Sequence, residues 1–499
     1  MVQTLSSAIA WWGVDTPDAV ALCLGGEKLT YRDYWRWSDR VAARLIADGL
    51  EIGDRVAICS PNSLAYCALI MGVIRAGGIV VPLNVRYTAR ELGEILVDAT
   101  ARFVFADEER RAVVSGQDAV VRGMDEVLAL RTGEPAVVER DLHPDLPVVM
   151  ISTSGSTAKP KGVMFSHRSM TAYVADFLLE DPTCSKGALA IVPAPLSTSA
   201  GFVLLIQYTT LGCTLFLEPV FDAQHFLDLL QRETINAFAG APVFFERIAA
   251  CPGFAAADLS NLRLATTGGA RVSRALQDAW LAKGVVLRQI YGQTECGGNA
   301  TIMPAELASK YPDKCGRGGI FNEVAIIDAD GARCPPGQQG QIILRGPGMM
   351  IGYWNNPEAT AAAIKDGWLH TGDIGVMDED GMLTFVDRMK DIIISGGLNI
   401  SAAEVERIIS EFDGVEEVVV IAAKDPKFGE TPMAVLYGAA EISVAALMRH
   451  CNARLADYKV PRYVAVEDEP LPRLATGKLS KPAVRLKYAD AAERLEKVR

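Results

Sequence analysis

Apolar positions along the first four hundred residues fall into short β-branched runs that alternate with longer stretches of helical spacing. Residues 55–59 form one such run ahead of a helical pattern over 64–76, and 78–83 precede another over 89–99. This alternation predicts parallel strands with covering helices, an α/β fold with parallel-rich sheets. A further run, 148–151, reads as a strand that passes directly into the loop Thr153-Ser154-Gly155-Ser156-Thr157-Ala158-Lys159-Pro160-Lys161-Gly162. No Pro-rich or Ser-rich linker divides the chain, and no internal repeat stands out.

The pattern changes near residue 390. Ahead of it, Asp378-Glu379-Asp380-Gly381 is a turn signal between apolar runs 374–377 and 383–386, which predicts a hairpin. Beyond it, Ser401-Ala402-Ala403-Glu404 has the form of a capping box. The helix it opens places Val405, Ile408, Ile409 and Phe412 on one face. Strand-like runs 415–422 and 434–437 follow, then a helical pattern over 443–456. The expected organisation is a large N-terminal domain over 1–389 and a small α+β C-terminal domain over 390–499.

Composition narrows the class. A chain of 499 residues exceeds what one core supports, so at least two domains are expected. Half the residues are hydrophobic and 22% are charged, the profile of a well-packed globular protein. A net charge of -12 without charge blocks argues against a nucleic-acid partner. No apolar stretch is long enough to span a bilayer, and Met1-Val2-Gln3-Thr4 has no signal-like character. Ten cysteines without Cys-x-x-Cys spacing fit a reducing compartment, so a cytoplasmic location is expected. The five histidines (143, 167, 225, 370, 450) lack metal-ligand spacing. Cys296 follows Glu295 without a basic neighbour, which favours packing or pocket lining over nucleophilic chemistry.

The 153–162 loop can turn several N–H groups and hydroxyls toward one point, and its two lysines add positive charge. A polyphosphate is the natural guest. A solvated surface loop is the alternative for the segment alone. It is not a Walker A loop, because no Gly-Lys-Ser/Thr ends it. Downstream lie Tyr291-Gly292-Gln293-Thr294-Glu295, Trp368-Leu369-His370-Thr371-Gly372-Asp373, Asp387-Arg388-Met389-Lys390-Asp391, Ser395-Gly396-Gly397-Leu398-Asn399-Ile400-Ser401 and Thr476-Gly477-Lys478. With Leu29-Thr30-Tyr31 and Leu83-Asn84-Val85-Arg86-Tyr87 upstream, this order resembles the adenylate-forming superfamily. That superfamily comprises acyl-CoA synthetases, peptide-synthetase adenylation domains and firefly luciferase, and the resemblance covers almost the whole chain.

The resemblance implies roles residue by residue. Thr153, Ser154, Gly155, Ser156, Thr157 and Lys161 would bind the ATP phosphates. Gly269, Ala270, Tyr291 and Gly292 would line the nucleotide, with Tyr291 against the adenine. Glu295 would hold Mg²⁺ and Thr294 would assist at the phosphate. Asp373 would accept from the ribose hydroxyls, and Arg388 would contact ribose or phosphates. Lys478 would be the catalytic cation touching the acid and the α-phosphate. Lys390 would be the hinge for rotation of the small domain, and Gly396 and Gly397 would border the CoA thiol path. Thr198, Phe202, Ala241, Gly268, Gly269, Cys296 and Gly297 would form the acyl pocket, with Ala270 and Gly292 close by. Small residues dominate that set, which would leave room for a ring or a chain.

Departures qualify the likeness. Ala158 stands where glycine is usual, Ser197-Thr198 where many CoA ligases carry Phe-His, and Ala402 where proline is frequent. No acidic residue in Thr198-Ser199-Ala200-Gly201-Phe202 offers itself to an amino-acid ammonium. The favoured expectation is a ligase that joins an apolar aryl, arylalkanoic or fatty acid to CoA using ATP and Mg²⁺. Loading of a carrier protein, a luciferase-like oxygenase and a non-catalytic nucleotide binder stay open as rivals. Oligomeric state, monomer or homodimer, is not readable.

Overall fold

The computed structural model describes residues 4–114, 119–153, 160–270, 272–438, 442–474 and 477–498. The chain forms two compact units. One comprises Met1–Ala325, Ile343–His370 and Gly381–Leu383; the other comprises Ile326–Ile342, Thr371–Asp380 and Thr384–Arg499. Strands Glu323–Ile327, Gln339–Arg345, Trp368–Met377 and Leu383–Arg388 each give residues to both. The last two are the strands expected on either side of the 378–381 turn.

The first unit holds two sheets. A nine-stranded sheet runs in the order Arg317–Gly318, Thr301–Ile302, Leu287–Tyr291, Leu264–Gly268, Ala237–Gly240, Leu189–Val192, Thr214–Leu217, Val20–Leu24, Glu27–Thr30. Its middle strands pair in parallel, and antiparallel strands close both edges. A seven-stranded sheet runs Gly352–Tyr353, Lys161–Ser166, Pro147–Thr153, Ile79–Pro82, Arg55–Cys59, Phe103–Ala106, Val120–Gly123. The last five of these are parallel neighbours, and the first two join antiparallel. Fully buried runs such as Ile79–Pro82 and Phe103–Ala106 explain why these strands read as continuous apolar segments. The expected helix at 89–99 is present as Ala89–Ala99, closed by a full capping box between Thr88 and Glu91. Around Trp280, the rings of Phe245 and Phe254 each lie 5.1 Å away in edge-on contact, the densest aromatic packing of the nine-stranded sheet's core.

The second unit is built on strands Leu398–Ser401, Ile392–Ser395, Gly429–Tyr437 and Glu417–Asp425, with Tyr463–Glu467 pairing Gly429–Tyr437. Strand alternation splits its core in two. Val420, Ala434 and Leu436 pack with Val405, Ile408 and Ile409 on one face, while Val419, Ile421, Met433 and Val435 pack with Tyr463, Leu471 and Val484 on the other. The helix predicted from Ser401 is Ala402–Ser410, shorter than its apolar pattern, so Phe412 packs from beyond its end.

The capping box expected at Ser401–Glu404 is only half made. Ser401 Oγ accepts the Glu404 N–H at 3.1 Å, but the Glu404 carboxylate turns to Lys459 at 2.7 Å. Buried Asp387 takes over at the helix start, its Oδ2 accepting from Ser401 Oγ at 2.8 Å and from Ala403 N–H at 2.9 Å. A carboxylate at a helix N-terminus gains from both the free N–H groups and the dipole. Asp387→Ala should therefore raise amide exchange at 403–405 by roughly tenfold or more, the loss expected when a charged acceptor is removed. Exchange at those amides unchanged from wild type would show that the cap does not depend on Asp387.

Candidate active site

The phosphate-loop candidate spans the end of a tight antiparallel ladder. Strand Pro147–Thr153 pairs Lys161–Ser166 with Thr153 opposite Lys161, and Thr153 Oγ1 donates to Lys161 O at 3.4 Å. Ser154, Gly155, Ser156 and Thr157, with Ala158 and Lys159, lie outside the described residues. A strand follows the loop and then helix His167–Glu180, unlike a Walker A arrangement.

Glu295 sits in a turn of 3₁₀-helix, Thr294–Cys296, just after the inner-sheet strand Leu287–Tyr291. The loop doubles back so closely that a Cβ on Gly292 would lie 1.6 Å from Gly298 O. Gly297 and Gly298 carry positive φ, 76° and 117°, which side-chain-bearing residues rarely adopt. Cys296 is buried, its thiol bonded to the Gln293 backbone and pushed up to about 12 by burial. It is a packed thiol rather than a nucleophile.

Residues 350–354, which the sequence reading did not single out, tie these two loops together. Met350 N–H donates to Glu295 O at 2.9 Å, Ile351 N–H to Met164 O at 2.9 Å, and Trp354 N–H to Gly162 O at 2.8 Å. Tyr353 lies opposite Val163, which puts its ring on the same strand face as Lys161. The Tyr353 hydroxyl donates to Glu295 Oε1 at 2.9 Å, and Lys161 Nζ stands 4.9 Å from the Tyr353 ring centroid. Burial, the Glu295 charge and this hydrogen bond all raise the Tyr353 pKa, so the phenol remains a donor. The signal that could have drawn attention was Gly352-Tyr353-Trp354-Asn355-Asn356-Pro357, with Asn356 capping a helix that has Pro357 in its first turn.

The acyl candidates are tied into structure in several ways. Thr198 N-caps helix Ser199–Thr210, accepting from Gly201 N–H at 3.2 Å and donating to Pro195 O at 2.8 Å. Phe202 is fully buried, and Ala241 precedes helix Pro242–Ala249 as its N-cap. A Cβ on Gly268 would meet the Ile290 side chain at 2.4 Å and Ile290 O at 2.6 Å. Backbone crowding by itself thus calls for glycine at both Gly268 and Gly292. Gly269 has φ 79°, and it and Ala270 are exposed. Tyr291 is buried, its N–H bonded to Thr301 Oγ1 at 3.1 Å, while Thr294 is half-buried.

The remaining candidates all belong to the second unit. Buried Asp373 follows Gly372, whose φ is 70°, and takes an N–H···Oγ1 bond from its own backbone to Thr371 at 3.0 Å. Arg388 Nε lies 3.7 Å from Asp373 Oδ1. Lys478 lies at the close of a hairpin loop in which Leu474 N–H donates to Lys478 O at 2.7 Å and Gly477 has φ 86°; Thr476 is outside the described residues. Crowding by protein and then the Arg388 cation lower the Lys478 pKa below 10.5, with Asp373 pulling the other way. Lys390 is lowered by burial and by Arg388 and Arg485. Arg485 Nη2 bonds Asp391 at 2.6 Å beside it. Gly396 and Gly397, φ 58° and 83°, form the two-residue turn joining Ile392–Ser395 to Leu398–Ser401, the geometry that asks for positive φ twice.

Among the described residues no helix is long and apolar enough to cross a membrane. A parallel-rich N-terminal fold, a small C-terminal α+β unit and these loops in this order define an adenylate-forming enzyme. Residues 9–354 match the AMP-binding enzyme family and 404–478 its AMP-binding enzyme C-terminal domain. A feruloyl-CoA synthase of Amycolatopsis sp is 36% identical over 95% of this chain and 96% of its own. The structure of ATP-bound MatB from Rhodopseudomonas palustris overlays with a TM-score of 0.91 at 29% identity, over 98% of this chain and 100% of the other. An O-succinylbenzoate CoA synthetase (MenE) from Bacillus subtilis, in complex with ATP and magnesium ion, gives 0.87 at 27% over 95% of this chain and 98% of its own. The chain belongs to the AMP-binding enzyme family, in its acyl-CoA synthetase branch. It is an AMP-forming acid–thiol ligase that activates a carboxylic acid with ATP and passes the acyl group to CoA.

Gly292→Ala tests the loop. The added Cβ meets backbone, so the Glu295 turn must move, and a shift of this size costs on the order of 10²-fold in rate. AMP formation should fall by at least that factor while the far-ultraviolet circular dichroism stays native. Near-wild-type turnover would mean that the turn accommodates the methyl group.

Proposed function

We propose that the acid this ligase joins to CoA is apolar, an aryl, arylalkanoic or fatty carboxylate. The apolar character of helix Ser199–Thr210, with no ionised side chain along it, supports this reading. The observation that carries the residue assignments is the charge cluster of Asp373, Arg388 and Lys478 in one unit, with Lys478 electrostatically coupled to the other two.

In the first half-reaction a carboxylate oxygen attacks the α-phosphorus, a new C–O–P link forms, and the bond to pyrophosphate breaks. Both reactants are anions, and negative charge spreads over the phosphorus. No general base is required, because the carboxylate is already ionised. Lys478 supplies the cation at the developing charge, and Asp373 accepts from the ribose hydroxyls. Arg388 adds positive charge there, and Thr153, Lys161 and Thr294 act at the phosphates. Tyr291 faces the adenine. Glu295 would hold Mg²⁺, which shields the phosphate charge when bound. The fit is sound: Glu295 is half-exposed, the Tyr353 hydroxyl bonds its Oε1, and a hard cation that keeps its waters and leans on phosphates needs only one or two carboxylates. In the second half-reaction the thiol sulfur attacks the acyl carbonyl, its proton leaves, and AMP departs with the C–O pair. Lys390 is the pivot that brings the small C-terminal domain, 390–499, to that step, with Gly396 and Gly397 beside the thiol path. A cytoplasmic setting suits this use of ATP and CoA.

Two measurements test the reading. AMP release with Mg-ATP and CoA is followed across aryl, arylalkanoic and medium-to-long-chain acids, with mass spectrometry of the thioester. Lys478→Ala should lower adenylation by about 10²–10³-fold. Absence of thioester from every one of these acids would overturn the apolar assignment, and undiminished adenylation in the variant would remove Lys478 from the chemistry. The second is a pH profile. The ammonium form is the active one, so adenylation should decline as pH rises through the lowered Lys478 pKa, on an alkaline limb that sets in below 10.5. The limb should disappear in Lys478→Arg, whose charge persists. A limb retained in that variant would assign it to another group.

A further inference from the structure

Segment 350–354 is stitched by backbone to both the Glu295 turn and strand Lys161–Ser166. Tyr353, near its centre, reaches both functional side chains at once. Its hydroxyl occupies Glu295 Oε1 at 2.9 Å, and its ring lies 4.9 Å beneath the Lys161 ammonium. Neither contact is needed to close the sheet, since the strand pairing and the Met350 and Trp354 backbone bonds already do that. Fixing one carboxylate oxygen has a definite chemical result. It removes a rotational freedom from Glu295 and, because the two carboxylate oxygens are rigidly linked, sets the direction of Oε2. A cation held at the ring face likewise gains from the quadrupole of the aromatic system and loses side-chain freedom.

We propose that Tyr353 is a positioning residue that sets Glu295 Oε2 for a hard cation and sets Lys161 for the phosphate carrying that cation. This rests on the reading of Glu295 as the magnesium ligand. The phenol touches neither substrate; it acts through Glu295 and Lys161. Its two interactions are separable, because Phe keeps the ring and the strand pairing while removing only the hydroxyl.

The experiment is equilibrium binding of a non-hydrolysable ATP analogue to the full chain, with and without graded Mg²⁺, for wild type, Tyr353→Phe, Glu295→Gln and the double variant. Tyr353→Phe should bind the metal-free analogue as wild type does, and should need about tenfold more Mg²⁺ for half-maximal enhancement, the scale of a hydrogen bond to a charged group. Added to Glu295→Gln, it should have little further effect, because the two residues act as one unit. Mg²⁺ dependence of Tyr353→Phe equal to wild type would overturn the proposal, as would full additivity in the double variant. An equal loss of affinity with and without metal would also overturn it, since that marks general loosening. The underlying reading fails separately: there Glu295→Gln would itself show wild-type Mg²⁺ dependence. Tyr353→Leu, which removes the ring as well, should lower metal-free affinity too, and equal metal-free affinity in the Leu and Phe variants would refute the Lys161 half.

Discussion

The register of one antiparallel ladder governs the end of the first unit where Thr153 and Lys161 stand. Six pairings between Pro147–Thr153 and Lys161–Ser166 set Thr153 against Lys161 at the mouth of the Ser/Thr-rich loop. Side chains alternate faces along a strand, so a slip of one residue would turn Lys161 to the opposite face. Gly162 makes the fit close: a Cβ there would meet the Met150 side chain at 2.6 Å. The ladder borders a sheet whose next strand, Ile79–Pro82, is buried throughout, which anchors the register in the core rather than in the loop. The placement of Lys161 is referred to that alignment, including the face it shares with Tyr353.

The second unit solves a different electrostatic problem. Lys478, Arg388 and Lys390 carry like charges, while Asp373 is the nearby counter-charge that acts on both lysines. Burial is the larger cause of both lowered lysine pKa values, and the Arg388 cation adds to it. Such a place favours an anion, and it favours most a reaction whose negative charge grows. Arg485 on Asp391 and Asp387 at the helix start hold the flanking backbone.

How much of this was legible depends on distance along the chain. The run 55–59 reappears as strand Arg55–Cys59, and the helix at 89–99 keeps its bounds, because periodicity and capping are local properties. Motif glycines and the order of the motifs marked the family. The Ser401–Glu404 box misled because Glu404 found a stronger partner in Lys459, 55 residues away. Tyr353 was invisible for a similar reason: its partner Glu295 is 58 residues off, and no short-range pattern announces such a bond. Buried His167, whose Nδ1 accepts from Leu5 N–H and whose pKa burial pushes down to about 4, is another long-range acceptor that sequence spacing could only leave unexplained.

Gly268 and Gly292 show what is at stake in reading small residues. Both face backbone at distances where no methyl fits without a shift, so crowding alone accounts for glycine at either place. A glycine kept at either place in a descendant is explained by this crowding before any acid is considered. A lineage that shifts from one acid to another has less freedom at these two codons than at codons whose side chains meet open space.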